Sequence, residues 1–186
     1  MASRKAIIAV ACGAAAVIVA VLVINAGLSK HVVAKNQVPN PYVNRGFGFS
    51  ISYPQGWSAQ EFRHLDANTT TLVSFNDSAA SIDIVASKMR PGDTLDSLDA
   101  KSKQLALASD RLHEKSIESE GSGTLANQDV KVRTWTISVQ GSTYKQVVYH
   151  LVHRGYLLSI SFISPQAQYS NELDAFTSSL KSLTLF

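Results

Sequence analysis

The longest apolar stretch of this chain lies near its N-terminus. Ala6 to Ile24 spans nineteen residues and contains no charged or strongly polar side chain. A helix of that length rises about 28 Å, at roughly 1.5 Å per residue, which matches the hydrocarbon core of a bilayer. We therefore predict that residues 1–28 form an N-terminal tail and a single transmembrane helix, with Ala6 to Ile24 in contact with the lipid bilayer.

Two other interpretations of this stretch, a cleaved signal peptide and a lipidated Cys12, fit the sequence less well. Arg4 and Lys5 precede it, as basic residues precede the apolar core of a signal peptide, but that core usually has only about 7 to 15 residues. Acylation of Cys12 requires the apolar run to end at that residue, and here it continues to Ile24. We expect an uncleaved, single-pass anchor in the cell membrane. Basic residues flank both ends of it, so the positive-inside rule gives only a slight preference for an extracytoplasmic C-terminal part.

The composition changes after the anchor. Residues 29–45 show no helical period and include Pro39-Asn40-Pro41, a sequence that disfavours helix and extends the backbone. We predict a linker over these residues. The remaining segment, 46–186, is long enough for one domain with a hydrophobic core and too short for two.

The domain opens with the pattern of a strand that has one buried face. Small or polar residues alternate there with four apolar ones, namely Phe47, Phe49, Ile51 and Tyr53. The turn Pro54-Gln55-Gly56 then delivers Trp57, which we predict to be a core residue. Two shorter strands are predicted at Leu72 to Phe75 and Ile82 to Ala86.

Two helices are predicted within the domain. The first begins after Thr94, a favourable capping residue, and has an apolar side made of Leu95, Leu98 and Leu105. The second lies near the end of the chain, where apolar residues recur at helical spacing, namely Tyr169, Leu173, Phe176 and Leu180.

Between the helices, three strong strands are predicted in quick succession, at Val130 to Val139, Gln146 to Arg154 and Tyr156 to Ile163. The turns that join them are too short for a crossover helix, so the strands should pair antiparallel. Both faces of the middle strand are apolar, which indicates that a helix covers each face. In the first strand the apolar side changes near Arg133-Thr134, which predicts either a bulge there or burial on both sides.

Charge excludes one class of partner. From Asn36 onward, thirteen basic and fourteen acidic side chains nearly cancel. Nucleic-acid binding requires clustered lysine and arginine, and we therefore predict no nucleic-acid partner. The basic residues from Lys30 to Lys35 suit contact with lipid headgroups.

Candidate catalytic and metal-binding residues are few. His150 and His153 are three residues apart on a predicted strand, so they point to opposite faces and cannot share a metal ion. His64 and His113 have no cysteine near them. Three acidic residues at the start of the first helix are explained by the helix dipole better than by calcium, namely Asp93, Asp96 and Asp99.

Other polar groups also have plain structural interpretations. We interpret Gly121-Ser122-Gly123 as a loop, because it lacks the strand-to-helix setting of a phosphate loop or a nucleophile elbow. Three acidic residues before it are interpreted as a solvated edge, namely Glu114, Glu118 and Glu120. We predict no catalytic residue, no cofactor and no bound metal.

The order of these features resembles the PsbP-like family, which is named for an extrinsic photosystem subunit. The resemblance starts with the aromatic alternation and turn of Gly46 to Trp57. It continues through Ser81-Ile82-Asp83-Ile84, the hairpins near Gly141 and Gly155, and a closing helix that ends at Ser179-Leu180. It implies an α/β/α sandwich on an antiparallel sheet, usually without enzymatic activity.

Two functions are consistent with these expectations. The first is a membrane-anchored, non-enzymatic accessory or assembly subunit, whose exported domain docks on an integral membrane protein complex. The alternative is a membrane-tethered binding module that holds a small ligand or ion between sheet and helix.

Overall fold

The strands and helices predicted from sequence assemble into an antiparallel α+β domain. The computed structural model describes residues 40–62, 69–108 and 114–186. Their elements are β1 (Asn40–Asn44), β2 (Phe49–Tyr53), β3 (Ser58–Glu61), β4 (Thr69–Asn76), β5 (Ser81–Lys88), α1 (Leu95–Leu107), β6 (Glu114–Leu125), β7 (Gln128–Val139), β8 (Ser142–His153), β9 (Tyr156–Pro165), α2 (Gln166–Lys181) and β10 (Thr184–Leu185).

The predicted transmembrane helix lies outside the described residues. Within them, neither helix has the length and apolar character needed to cross a membrane.

The described strands form two sheets. The large sheet has the order β3-β4-β5-β9-β8-β7-β6, and every neighbouring pair in it is antiparallel. Strands β6 to β9 form the predicted meander, extended by one strand. Both residues of each two-residue turn have positive φ, namely Ala126-Asn127, Gln140-Gly141 and Arg154-Gly155. Such primed turns match the twist of the strands that they join, which fixes the register of these hairpins.

The helices cover opposite faces of the large sheet, as the apolar character of both faces of β8 predicts. On one face, α2 buries Phe176 and Leu180 in the larger core, where the Phe176 ring stacks on Phe162 of β9 at 5.0 Å. On the other face, Ala106 of α1 packs in a smaller core with Trp135 of β7. The predicted cap of α1 is confirmed. The Thr94 side chain accepts a hydrogen bond from the Ser97 backbone N–H. The Ser97 side chain in turn accepts one from the Thr94 backbone N–H, which completes a capping box.

The domain includes residues that the sequence analysis assigns to the linker. Residues 40–44 form β1, which pairs with β2 in a small sheet of order β1-β2-β10. The ring of Tyr42 packs on Phe49 and on Phe75, at 6.0 and 5.4 Å between ring centres. Because β1 is an edge strand, Pro41 is tolerated without the loss of a needed backbone donor. The predicted boundary at residue 46 is therefore too late.

Strand β6 corrects a second expectation. Gly121-Ser122-Gly123 is not a loop, because it continues β6 along the edge of the large sheet, paired with β7. A bulge does lie opposite Thr134 and Trp135, but its extra residue belongs to β6 and not to β7. The pairing of β7 with β8 is continuous through Arg133, whereas Glu118 of β6 is the extra residue opposite β7. Burial on both sides, the second alternative, explains the apolar pattern of β7.

Candidate functional site

The strongest concentration of buried charge lies between α1 and the large sheet. Arg133 of β7 is 5% exposed and points toward the helix. Its Nη2 donates to Oδ2 of Asp99 on α1, and its Nε donates to Oε1 of Glu120 on β6, both at 2.6 Å. The guanidinium thus connects the helix to two strands through charge-assisted hydrogen bonds.

A histidine from the next strand completes this cluster. His150 of β8 is 4% exposed, and its Nδ1 donates to Oδ1 of Asp99 at 2.8 Å. Burial by itself raises the pKa of Asp99, but the hydrogen bonds from His150 and Arg133 and the nearby guanidinium charge outweigh burial and lower it. Asp99 therefore stays ionised. Lys103 of α1 adds an outer ion pair with Glu120, at 2.7 Å.

A small cavity of about 40 Å³ lies beside this cluster, beneath α1. Lys115 of β6 reaches its edge, where Nζ donates to the carbonyl of Ala106 at 3.1 Å and lies 5.9 Å from the centre of the Trp135 ring. Burial lowers the pKa of Lys115 to about 8. The polar residues that line the cavity are Ser102, Lys115, Arg133, Gln146, His150, Ser159 and Ser161.

One arrangement in the cavity is reminiscent of hydrolases. Asp99 orients His150, and Ser159 of β9 lies directly opposite His150 in the sheet register. Catalysis by a serine needs its hydroxyl within hydrogen-bond reach of the histidine. Among the hydrogen bonds of the described residues, His150 has one to Asp99 and none to a serine hydroxyl.

A second, open depression of about 300 Å³ lies between the start of α1 and the β6–β7 hairpin. The ion pair of Lys131 with Asp96, at 2.7 Å, lies in it. Its remaining lining residues are Leu95, Ser122, Gly123, Asp129 and Val130.

The histidines are placed as their spacing predicts. His150 faces α1, whereas the Nε2 of His153 lies 3.1 Å from the carbonyl oxygen of Gly48 at the small sheet. His64 and His113 fall outside the described residues. In the described part of the chain, no three histidine, cysteine or acidic side chains gather as metal ligands would.

The acidic residues at the start of α1 diverge in role. Asp93 accepts the backbone N–H of Arg90, Asp96 pairs with Lys131, and Asp99 belongs to the buried cluster. Of the acidic residues on β6, Glu118 accepts from Thr136 and from Lys145, whereas Glu120 binds the buried Arg133. The interpretation of Glu120 as part of a solvated edge was therefore incomplete.

Sequence reasoning did not identify Arg133, Lys115 or Gln146 as site residues. Arg133 and Gln146 are charged or polar residues at inward positions of otherwise apolar strands, and both are buried. That break in the alternation was a usable signal, because a buried arginine requires carboxylate partners. The sequence does not indicate which carboxylates supply them.

Solved structures share this fold. The chain is similar to cyanobacterial PsbP (CyanoP) from Synechocystis sp. PCC 6803, with a TM-score of 0.64 and 13% identity over 82% of this chain and 96% of that one. It is also similar to LpqN of Mycobacterium tuberculosis, a protein involved in cell envelope biogenesis, with a TM-score of 0.55 and 13% identity over 81% of this chain and 87% of that one.

A third similar structure is the Ran-binding protein Mog1p of Saccharomyces cerevisiae, with a TM-score of 0.54 and 9% identity over 81% of this chain and 96% of that one. No protein-family model and no curated protein matches the sequence. At these identities the likeness concerns the fold, and at that level the resemblance to PsbP-like proteins is confirmed. The domain is thus a PsbP-like α+β sandwich.

Proposed function

We propose that this protein is a membrane-anchored, non-enzymatic accessory or assembly subunit that docks its folded domain on an integral membrane protein complex. The observation that carries the proposal is the short separation along the chain between the apolar run Ala6 to Ile24 and the first strand, which begins at Asn40.

This separation limits which partners the domain reaches. With β1 part of the fold, the tether shrinks from residues 29–45 to residues 29–39. Eleven residues span at most roughly 40 Å when fully extended. The domain therefore meets molecules that lie in the membrane or close to its surface.

The small sheet offers a surface for such contact. Val43 of β1 is 54% exposed, and its neighbours in the register are Ser50 of β2 and, beyond it, Thr184 of β10. Phe186, 49% exposed, follows on the same side, since side chains alternate along a strand. We call the outer face at Val43, Ser50, Thr184 and Phe186 the docking face. It begins where the tether ends, and it suits an apolar patch on the extramembrane part of a membrane protein.

The interior of the domain supports a role without catalysis. The cavity beneath α1, at about 40 Å³, is far smaller than the roughly 300 to 1,000 Å³ of organic-ligand pockets. The larger depression is open and holds an exposed ion pair, not a nucleophile with its base. Among solved structures of this fold, Mog1p binds a protein, Ran.

Mild detergent extraction of the full-length protein tests the proposal. We expect it to elute within a larger complex, and Val43→Asp on the docking face should release it without lowering its melting temperature. The matched control is Leu107→Asp, which changes an equally exposed apolar residue, 53% exposed, on α1 at the opposite side of the large sheet. The proposal is wrong if the wild-type protein elutes alone and its domain turns over a substrate.

The anchor has its own test. Because the apolar run is longer than a signal peptide core, we expect the intact mass of the purified protein to include residues 1–28. A mature species that starts at Gly27 would contradict the anchor and with it the tethered geometry.

A further inference from the structure

The cavity beneath α1 is built from buried polar side chains. His150, Gln146 and Ser161 are 4%, 7% and 8% exposed, and all three line it together with Ser159. Ser102, Lys115 and Arg133 also line it, and the apolar part of its wall consists of Val85, Ala106, Trp135 and Val148. A small cavity with this lining suits a compact polar ligand and has no room for a bulky one.

Among the described residues that line the cavity, one cation, Lys115, has no carboxylate partner. Arg133 is paired with Asp99 and with Glu120, and Lys103 and Lys131 pair with the more exposed carboxylates of Glu120 and Asp96. Among the described residues, Lys115 forms no ion pair with a carboxylate, since its Nζ has only the Ala106 carbonyl and the face of Trp135. A partly buried ammonium in this setting is stabilised by an anion.

Partial burial makes the Lys115 ammonium less stable without an anion. Desolvation lowers its pKa to about 8, which means that the charged form is less stable here than in water. An anion in the cavity offsets that penalty and raises the pKa again.

Size selects the kind of anion. A volume of about 40 Å³ exceeds what one water molecule needs, roughly 10 to 15 Å³ on the same measure, by about threefold. Three water-sized positions correspond to a group such as a carboxylate with a hydrogen or methyl substituent. The hydroxyls of Ser159 and Ser161 and the amide of Gln146 are donors of the kind that carboxylate oxygens accept.

We propose that the cavity beneath α1 is a binding site for a small carboxylate of the size of formate or acetate, with Lys115 as its charge partner and Ser159, Ser161 and Gln146 as hydrogen-bond donors. The site is independent of the docking face, which lies on the other side of the large sheet. It does not require that the chain be anchored to a membrane.

Titration calorimetry of the full-length protein with sodium formate tests the site, with sodium benzoate at matched ionic strength as the oversized anion. We expect saturable binding of formate and none of benzoate. Lys115→Met should weaken formate binding at least about tenfold, the effect of removing one charge-assisted hydrogen bond. The matched control is Lys101→Met, which removes the same charge from α1 at a position that does not line the cavity.

Several outcomes would overturn the proposal. These are no binding of formate by the wild-type protein, equal binding of formate and benzoate, or unchanged affinity in Lys115→Met. If Lys115→Met does not fold, Ser161→Ala replaces it as the test, and undiminished affinity in that variant would also reject the site. A direct readout is the pKa of the Lys115 ammonium by NMR, which formate should raise in the wild-type protein and leave unchanged in Ser161→Ala.

Discussion

Trp57 shows how a residue next to an exposed turn becomes part of the core. It is 7% exposed and belongs to the larger apolar cluster, together with Phe49 and Ile51 of the preceding strand. We expect Trp57→Ala to lower the free energy of unfolding by roughly 3 to 5 kcal/mol, through lost burial and the cavity left behind. Urea unfolding measures the effect, and Trp57→Phe should retain much of the stability. A change within error would place the indole on the surface.

Asp83 is a buried carboxylate in the middle of the large sheet. It is 5% exposed, and Oδ2 accepts a hydrogen bond from Ser81 at 2.9 Å. Its neighbours in the register are Ser74 and Ser161. Burial raises its pKa above the ordinary 3.8, and hydrogen bonds from Ser74 and Ser81 offset part of that rise. The charged carboxylate of Asp83 is thus less favourable in the folded protein than in water.

This setting predicts that Asp83→Asn stabilises the protein at neutral pH. Because the folded pKa is raised, the contribution of the neutral acid is fully present below pH 3.8 and is lost as the pH rises through the folded pKa. The gain should be about 1.4 kcal/mol for each unit by which the pKa is raised, and it should disappear at low pH. Unfolding curves at neutral and acid pH measure it. Equal stability of the two proteins at neutral pH would contradict the prediction.

Helix α1 depends on the Asp99 cluster for its attachment to the sheet. The side chains of Asp99 and Arg133 are 15% and 6% exposed, and loss of Asp99 leaves the buried Arg133 with only the more exposed Glu120 as its partner. We expect Asp99→Asn to lower the free energy of unfolding by roughly 3 kcal/mol, the lower end of the range for breaking a buried pair. Thermal unfolding and the protection of α1 amides from hydrogen exchange measure the loss.

The same helix supplies the control. Asp96→Asn removes an ion pair whose carboxylate is 79% exposed, and surface pairs contribute at most about 1 kcal/mol. Similar losses in the two variants would mean that the Asp99 cluster has no special role.

The contribution of Asp99 to stability depends on pH. In the wild-type protein the pKa of Asp99 is lowered, so this contribution to the free energy of unfolding is present above pH 3.8 and is lost as the pH falls through the folded pKa.

At the scale of the whole molecule, β1 decides where the domain begins. Its Tyr42 covers Phe49 and Phe75, and its hydroxyl donates to Glu61 at 3.0 Å. We expect a fragment of residues 46–186 to be at least about 3 kcal/mol less stable than one of residues 40–186, because it loses both the packing of the partly buried Tyr42 ring and the pairing of β1 with β2. Thermal unfolding compares the two. A third fragment, residues 36–186, should match the longer one, and equal stability of all three would remove β1 from the domain.

Local patterns were sufficient for much of this fold. Period-two alternation placed β2, strong strand segments between short turns placed β7, β8 and β9, the capping residue Thr94 placed α1, and the stripe that ends at Leu180 placed α2. These signals are readable because each is local to a single element or turn. The apolar run Ala6 to Ile24 is equally clear in the sequence, and the membrane anchor that it indicates stays a prediction.

Tertiary structure decided the rest, because it depends on which strands become neighbours. Residues 40–44 carry no strong strand signal, and β1 forms because Tyr42 finds aromatic rings on β2 and β4. Asp99 meets Arg133 and His150 across 34 and 51 residues of chain. That meeting requires the register of β7 and β8 and the position of α1 over them. The alternation of a strand fixes the face of a side chain, whereas only packing between distant elements fixes its partner.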